Sequence, residues 1–398
     1  MKTTCTLLFL ILGFAVSAQW TQKTNLPAAG RNHPVTFSIN GIGYLTTGGS
    51  DGPPFNYDDM WKYNPVTDAW SPLGNFPGGD RSFAYGVAVG GFGYAGFGAN
   101  ISGSVTYLDD WYRFDPVLET WTTLASFPGT PRTHPAMVAT SEKIYVGCGG
   151  SSNGDLDDWW EYDIDSDTWT QKTDFPGVQR HHPFYFNVGE DVYVGMGHHQ
   201  SSIFDDLYHY DIENDVWTQV ASIPGEGRVA GTQFTYNDKG YVLSGQGEDH
   251  LNFDEGEFWQ YNPTSDSWTQ LPPHPGTGRW APGSFVIDDA IFLVAGQTDD
   301  IQPDQRDLWM LDFNDILSSD ELTELEGVAV YPNPANDILH VRSDDQINSI
   351  LITNILGEVL FEGDHLSEGI SVADFPSGVY ILTAKGENGS SSQRFVKK

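Results

Sequence analysis

Six arginines recur at nearly even steps through the chain: Arg31, Arg81, Arg132, Arg180, Arg228 and Arg279. Gathered on one surface of a strongly acidic protein, they would focus anions. Carboxylates stand ready to neutralise them, among them Asp58-Asp59, Asp109-Asp110, Asp157-Asp158 and Asp205-Asp206. A feature present in every repeat is economically explained as architecture, so structural ion pairs stand beside an anion-binding ring. Histidines cluster more selectively. They precede proline in Arg31-Asn32-His33, Arg132-Thr133-His134 and Arg180-His181-His182, and a fourth stretch carries His198-His199. His134, His181, His182, His198 and His199 would share one sector, where imidazoles can hold a transition metal or exchange protons near neutral pH. No two-histidine spacing matches a named metal motif, so no metal is expected, and contacts to sugar or backbone are the plainer reading. Trp280, directly after Arg279, offers a stacking platform for a sugar ring or a core contact. No Ser-His-Asp order or phosphate loop stands out, and no catalytic residue or cofactor is assigned.

The elements that must position these groups follow from a second rhythm. Trp20, Trp70, Trp121, Trp169, Trp217 and Trp268 stand 50, 51, 48, 48 and 51 residues apart, and an arginine follows each by eleven. A period near fifty belongs to propeller blades. From Arg132 to Gly177 the chain reads as one blade of four strands: Pro135–Thr140, Lys143–Gly149, Trp159–Tyr162 and Thr168–Thr170. The turn Asp163-Ile164-Asp165-Ser166-Asp167 is rich in side chains that bond their own backbone. Third strands repeat as Asp59-Met60-Trp61-Lys62-Tyr63, Asp110-Trp111-Tyr112-Arg113-Phe114 and four further copies, with aromatics expected to pack between neighbouring sheets. The sixth blade has no fourth-strand tryptophan, and Trp20 has no strands before it. The N-terminal segment should therefore supply the outer strand of the last blade, beside Leu308–Phe313, and close the ring.

The glycine-ended second strand, the Asp-aromatic-Trp third strand and the recurring arginine resemble kelch repeats of bacterial exported proteins, across residues 19–314. The expected fold is all-β: a six-bladed kelch-type propeller closed by the N-terminal strand, followed by a small Ig-like β-sandwich. In such a fold the first strand is innermost, and its start shares a face with the loops between strands two and three. The arginines would then stand at the channel mouth. Kelch propellers host adaptors, oxidases and epimerases, so the fold alone does not choose among them. A galactose-oxidase-like site would need a cysteine–tyrosine cross-link and copper; Cys148 is the sole candidate cysteine, and no matching tyrosine and histidine set is found. A sialic-acid epimerase of kelch type would need basic residues in the channel, which the arginines allow.

Residues 1–18 read as an export signal: Lys2, an apolar run Leu7 to Val16, and Val16-Ser17-Ala18 for cleavage. No segment is expected to span a membrane. After cleavage Cys148 alone remains, which precludes an intrachain disulfide. The net charge of −35 repels nucleic acid and anionic lipid. Residues 315–327 read as a linker and 328–398 as the sandwich. Tyr331-Pro332-Asn333-Pro334-Ala335, Asn354-Ile355-Leu356-Gly357-Glu358-Val359, Pro376-Ser377-Gly378-Val379-Tyr380 and the end Arg394-Phe395-Val396-Lys397-Lys398 resemble the C-terminal sorting domain of the type IX secretion system. That resemblance implies a cell of the Bacteroidota type, passage across the outer membrane, and a secreted or surface location. The function expected is non-catalytic binding of glycan or protein through Arg31, Arg81, Arg132, Arg180, Arg228, Arg279, His134, His182, His198, His199 and Trp280. The alternative is a carbohydrate-active enzyme, of epimerase or oxidase type, at the same mouth; a purely structural surface-layer role is a third reading.

Overall fold

Alternation of buried and open side chains along short strands dictates sheets here, and the burial pattern changes systematically from strand to strand. A computed structural model describes residues 20–298, 304–315, 328–343, 346–354, 359–363, 369–386 and 390–398. The expected signal segment, residues 316–327 of the expected linker, and residues 355–358 of the tail motif lie outside the described residues. Apart from one helical turn at 313–315, the described elements are strands.

Residues 19–313 form one compact unit. It contains six four-stranded antiparallel sheets. Sheet 3 is representative: Ala136–Ala139, Lys143–Gly147, Trp159–Asp163 and Thr168–Lys172, each paired with the next. Second strands such as Lys143–Gly147 are buried on both faces, whereas fourth strands such as Thr168–Lys172 alternate between open and half-buried positions. A strand sandwiched between neighbouring sheets must be apolar on both sides, and an outer strand only on one. The first strands, Val35–Ile39, Tyr85–Val89, Ala136–Ala139, Phe184–Val188, Thr232–Tyr236 and Gly283–Ile287, neighbour one another in a closed cycle.

Backbone hydrogen bonds draw the same circle. The N–H groups of Gly48, Gly98, Gly149, Gly197, Gly245 and Gly296 donate to the carbonyls of Arg81, Arg132, Arg180, Arg228, Arg279 and Arg31, at 2.7–3.1 Å. Every one of these glycines has a positive φ, from 79° to 112°, which a side chain would strain. The last sheet is completed from the chain's start: Thr21–Lys23 pairs antiparallel with Leu308–Asp312, with Thr21 opposite Met310. Trp20 is buried just before that strand, against Phe258 and His274.

The repeated tryptophans hold adjacent sheets together. The indole N–H groups of Trp70, Trp169, Trp217 and Trp268 donate to the carbonyls of Thr24, Ala125, Thr173 and Ala221 at 2.8–3.0 Å, 44 to 47 residues earlier. The hairpin aspartates Asp68, Asp167, Asp215 and Asp266 accept from the amides of those same four residues. They also accept the hydroxyls of Tyr63, Tyr162, Tyr210 and Tyr261. Four of the six repeats thus use their third and fourth strands to satisfy the polar end of the sheet before them.

The C-terminal unit carries a three-stranded sheet, Ala329–Tyr331, Ile338–Arg342 and Ile370–Ser371, and a four-stranded one, Ile347–Asn354, Val359–Gly363, Gly378–Gly386 and Ser390–Lys397. Leu339, Ile352, Leu382 and Phe395 are fully buried in one shared core. Two sequence motifs have local jobs there. Asn333 bonds the backbone of Arg394 and Val396, which registers the last strand, and the Tyr380 hydroxyl donates to Pro376 at 2.7 Å.

Candidate functional site

The six arginines are almost wholly buried, from 0% exposed at Arg31 to 4% at Arg279. A guanidinium out of water needs a planar, charged partner, and five have one. Arg31, Arg81, Arg132, Arg180 and Arg279 each make two bonds of 2.5–3.0 Å to Asp59, Asp110, Asp158, Asp206 and Asp307. Their Nη1 atoms also donate to the carbonyls of Thr47, Phe97, Cys148, Met196 and Ala295 at 2.8–3.0 Å. Trp61, Trp160 and Trp309 add an indole N–H to the first, third and sixth carboxylates. The third-strand aromatics therefore orient the ion pairs as well as packing.

Arg31, Arg81, Arg132, Arg180 and Arg279 turn their donors inward onto carboxylates and carbonyls, which favours the structural ion-pair reading over an anion-binding ring. Burial works to raise the pKa of Asp59 and Asp307, but the bonds and charge of the paired arginine win and hold both carboxyls below the ordinary value. Arg228 departs from the pattern. It meets Glu257 through a single bond of 3.0 Å, and its Nε and Nη1 are buried with no hydrogen-bond partner among the described residues.

Two residues beyond each arginine the chain turns inward. His33, Phe83, His134, His182, Ala230 and Ala281 all adopt positive φ, between 48° and 63°. Their backbones link around the circle: His33 donates to Ala281, His134 to Phe83, His182 to His134 and Ala281 to Ala230, at 2.6–3.2 Å. This belt stands at the head of the six first strands, which enclose a cavity of about 300 Å³ lined in part by Tyr85, Tyr185, Gln233 and Ser284.

The belt's three histidines meet. Ring centres lie 3.6 Å apart for His134 and His182, 4.9 Å for His33 and His134, and 5.1 Å for His33 and His182. Nε2 of His33 lies 2.8 Å from Nε2 of His182. Burial lowers His33 to about 3, with the charge of His181 adding to it, and drives His134 and His182 well below their usual value. Burial thus disfavours the charged form of all three, and the neutral imidazole is the form that ligates metal. His33 carries the signal that sequence reasoning missed. It lies in sheet 1, while the expected sector lay in sheets 3 and 4, and only closure of the circle brings it across.

His198 lies against His181 at 3.9 Å between ring centres, the rings inclined at 49°, and burial lowers its pKa to about 3. His199 points elsewhere: its Nδ1 meets Asp155 at 2.8 Å, and Asp155 also lies 2.7 Å from Nδ1 of His181, out of line for a hydrogen bond. Trp280 is half-buried and sets its edge against His33 at 4.5 Å, so it is partly engaged in packing. Cys148 is buried, and burial raises its thiol to about 12, which removes it as a nucleophile.

Around the belt, isolated bridges tie each strand start to the end of its own second strand: Asn32 to Gly49, Ser82 to Ala99, Thr133 to Gly150, His181 to His198, Val229 to Gln246 and Trp280 to Gln297. The loops between second and third strands therefore rise beside the belt. Those of sheets 2, 3 and 4 add short ribbons, such as His198–His199 with Ser202–Ile203.

Residues 130–296 match the family model of the KLHDC2/KLHL20/DRC7 kelch-repeats domain, and residues 329–398 match that of the secretion system C-terminal sorting domain. The chain joins kelch repeats to a type IX sorting domain. No curated protein matches it. The kelch match begins beside Arg132 and ends at Gly296, yet the arginine–carboxylate pair recurs outside it at Arg31 and Arg81. The sorting domain implies export and a secreted or cell-surface location. No described helix is long and apolar enough to cross a membrane.

Proposed function

We propose that this is an exported six-bladed kelch propeller, closed by its N-terminal strand and followed by an Ig-like sorting sandwich, that binds a glycan or a protein at the cell surface without catalysis. The closed cycle of six first strands and the pairing of Thr21–Lys23 with Leu308–Asp312 support the architecture. The observation that carries the binding role is the division of labour on the loop face. The repeated arginines are spent on structure, while residues that differ between sheets, His198, His199 and Trp280 among them, are left half-exposed beside loops of differing form. Half-buried aromatics and neutral polar groups are the usual furniture of sugar and peptide sites. Screening the full chain on a glycan array, with Trp280→Ala and His199→Ala as comparisons, tests this. A selective ligand whose binding falls at least about tenfold in either variant is expected; turnover of a screened sugar without stable binding would replace it with the carbohydrate-active alternative. The buried, unpartnered histidines are what favours that second reading.

A further inference from the structure

The histidine belt carries an inference that stands whether or not the loop face binds a glycan. One nitrogen each of His33, His134 and His182 lies within 4.8 Å of those of the other two. Both ring nitrogens of His134, and Nδ1 of His182, are buried with no hydrogen-bond partner among the described residues. A neutral imidazole presents one donor and one acceptor, and buried polar groups are ordinarily satisfied. Packing does not require imidazole here, because Phe83, Ala230 and Ala281 fill the other three positions of the same belt.

His33 is also held as a ligand would be. Its Nδ1 meets Oδ1 of Asn32 at 3.0 Å, and Asn32 in turn donates to Asp304 at 2.9 Å. Because Oδ1 only accepts, the proton sits on Nδ1 and the lone pair of Nε2 faces the other two rings. Orientation of a ligating histidine through its second nitrogen is a recurring feature of metal centres. No carboxylate joins this triad, which disfavours calcium and magnesium, and three imidazoles suit zinc or copper(II).

We propose that His33, His134 and His182 together bind one divalent transition-metal ion of the zinc or copper(II) class, with Asn32 as a positioning residue. A second group, His181, His182 and His198, shares His182. Its His181 lies against Asp155, so the all-buried triad is the assigned site. Phe83 and Trp280 wall it at 4.7 and 4.5 Å from the ring centre of His33.

The test uses the full chain, stripped with chelator and titrated calorimetrically with Zn²⁺, Cu²⁺ and Co²⁺. One ion per chain is expected. His134→Phe and His182→Phe, which keep an aromatic ring in place, should weaken binding at least about 100-fold, and Asn32→Ala about 10-fold. His209→Ala, on the third strand Leu207–Asp211 and bonded to Asp191, should change nothing. Near-UV circular dichroism establishes that each variant is folded. Independently of any variant, cobalt-loaded wild type should show three hyperfine-shifted imidazole signals. The assignment is overturned by absence of stoichiometric binding in wild type, by fewer than three such signals, or by full affinity in a folded His134→Phe/His182→Phe protein. Loss confined to His181→Ala and His198→Ala would equally overturn it, by moving the ion to the other triad.

Discussion

The arginine ring and the histidine belt stand two residues apart in sequence and follow opposite rules. The ring is present in all six sheets, fully buried, and in five of them closed by two bonds to an aspartate and one to a carbonyl. The belt is histidine in three sheets only, equally buried, and leaves nitrogens without partners. Repetition with every guanidinium set on a carboxylate is what a fold needs to close on itself. Departure from the repeat with incomplete satisfaction marks a place where something besides stability shaped the residues. The same contrast runs inside the ring, where sheet 5 replaces aspartate with Glu257 and leaves Arg228 half-served.

Four experiments would break or sharpen this contrast. The largest effect is expected from Asp158→Ala, which strands the Arg132 guanidinium in the interior. Removing one member of a buried pair should cost about 3 kcal/mol or more, read as a lower urea midpoint by tryptophan fluorescence. A change near zero would mean that the ring is not structural. Glu257→Ala in sheet 5 removes one bond from Arg228 in place of two, together with one from Trp259, and should cost less, about 1.5 kcal/mol in the same assay. Equal costs at Asp158 and Glu257 would erase the distinction drawn for Arg228. In the belt the sign should reverse. His134→Phe removes two unpartnered nitrogens while keeping a ring, so metal-free protein should gain up to about 1 kcal/mol. A loss of 2 kcal/mol or more, by urea titration in chelator, would count against the belt being spared for function.

The fourth is gentler and concerns pH. Asp59 and Asp307 titrate below their ordinary value of 3.8 in the folded protein. Between the folded and unfolded values the unfolded chain binds more protons, so stability falls as pH falls. Their contribution is complete above about pH 4 and is lost progressively below it. Urea midpoints measured from pH 6 down to pH 3 should therefore hold, then drop, and the drop should be shallower in Asp59→Asn than in wild type.

Much of this was legible in the residues because the relevant signals are local and repeated. The tryptophan period located six sheets, and the unmatched Trp20 located the strand that closes the last one. The pairing of arginines with the loop carboxylates was visible as one of two options, since a carboxylate stands at the start of each third strand. The choice between the options was not visible. Whether a guanidinium faces water or a carboxylate depends on how the strand start is turned, and that turn is a left-handed backbone step no composition rule announces.

What the chain's order alone determined, then, is the kind of unit and its recurrence, because the tryptophan and arginine signals repeat about every fifty residues. What only tertiary structure decided is which histidines meet. His33 and His182 are separated by 149 residues, yet their Nε2 atoms approach to 2.8 Å. Circular closure places the heads of sheets 1, 3 and 4 around one axis, and positive φ at each head turns the imidazoles toward it. Distance along the chain carries no information about distance across a ring, and the one is set by covalent spacing while the other is set by packing.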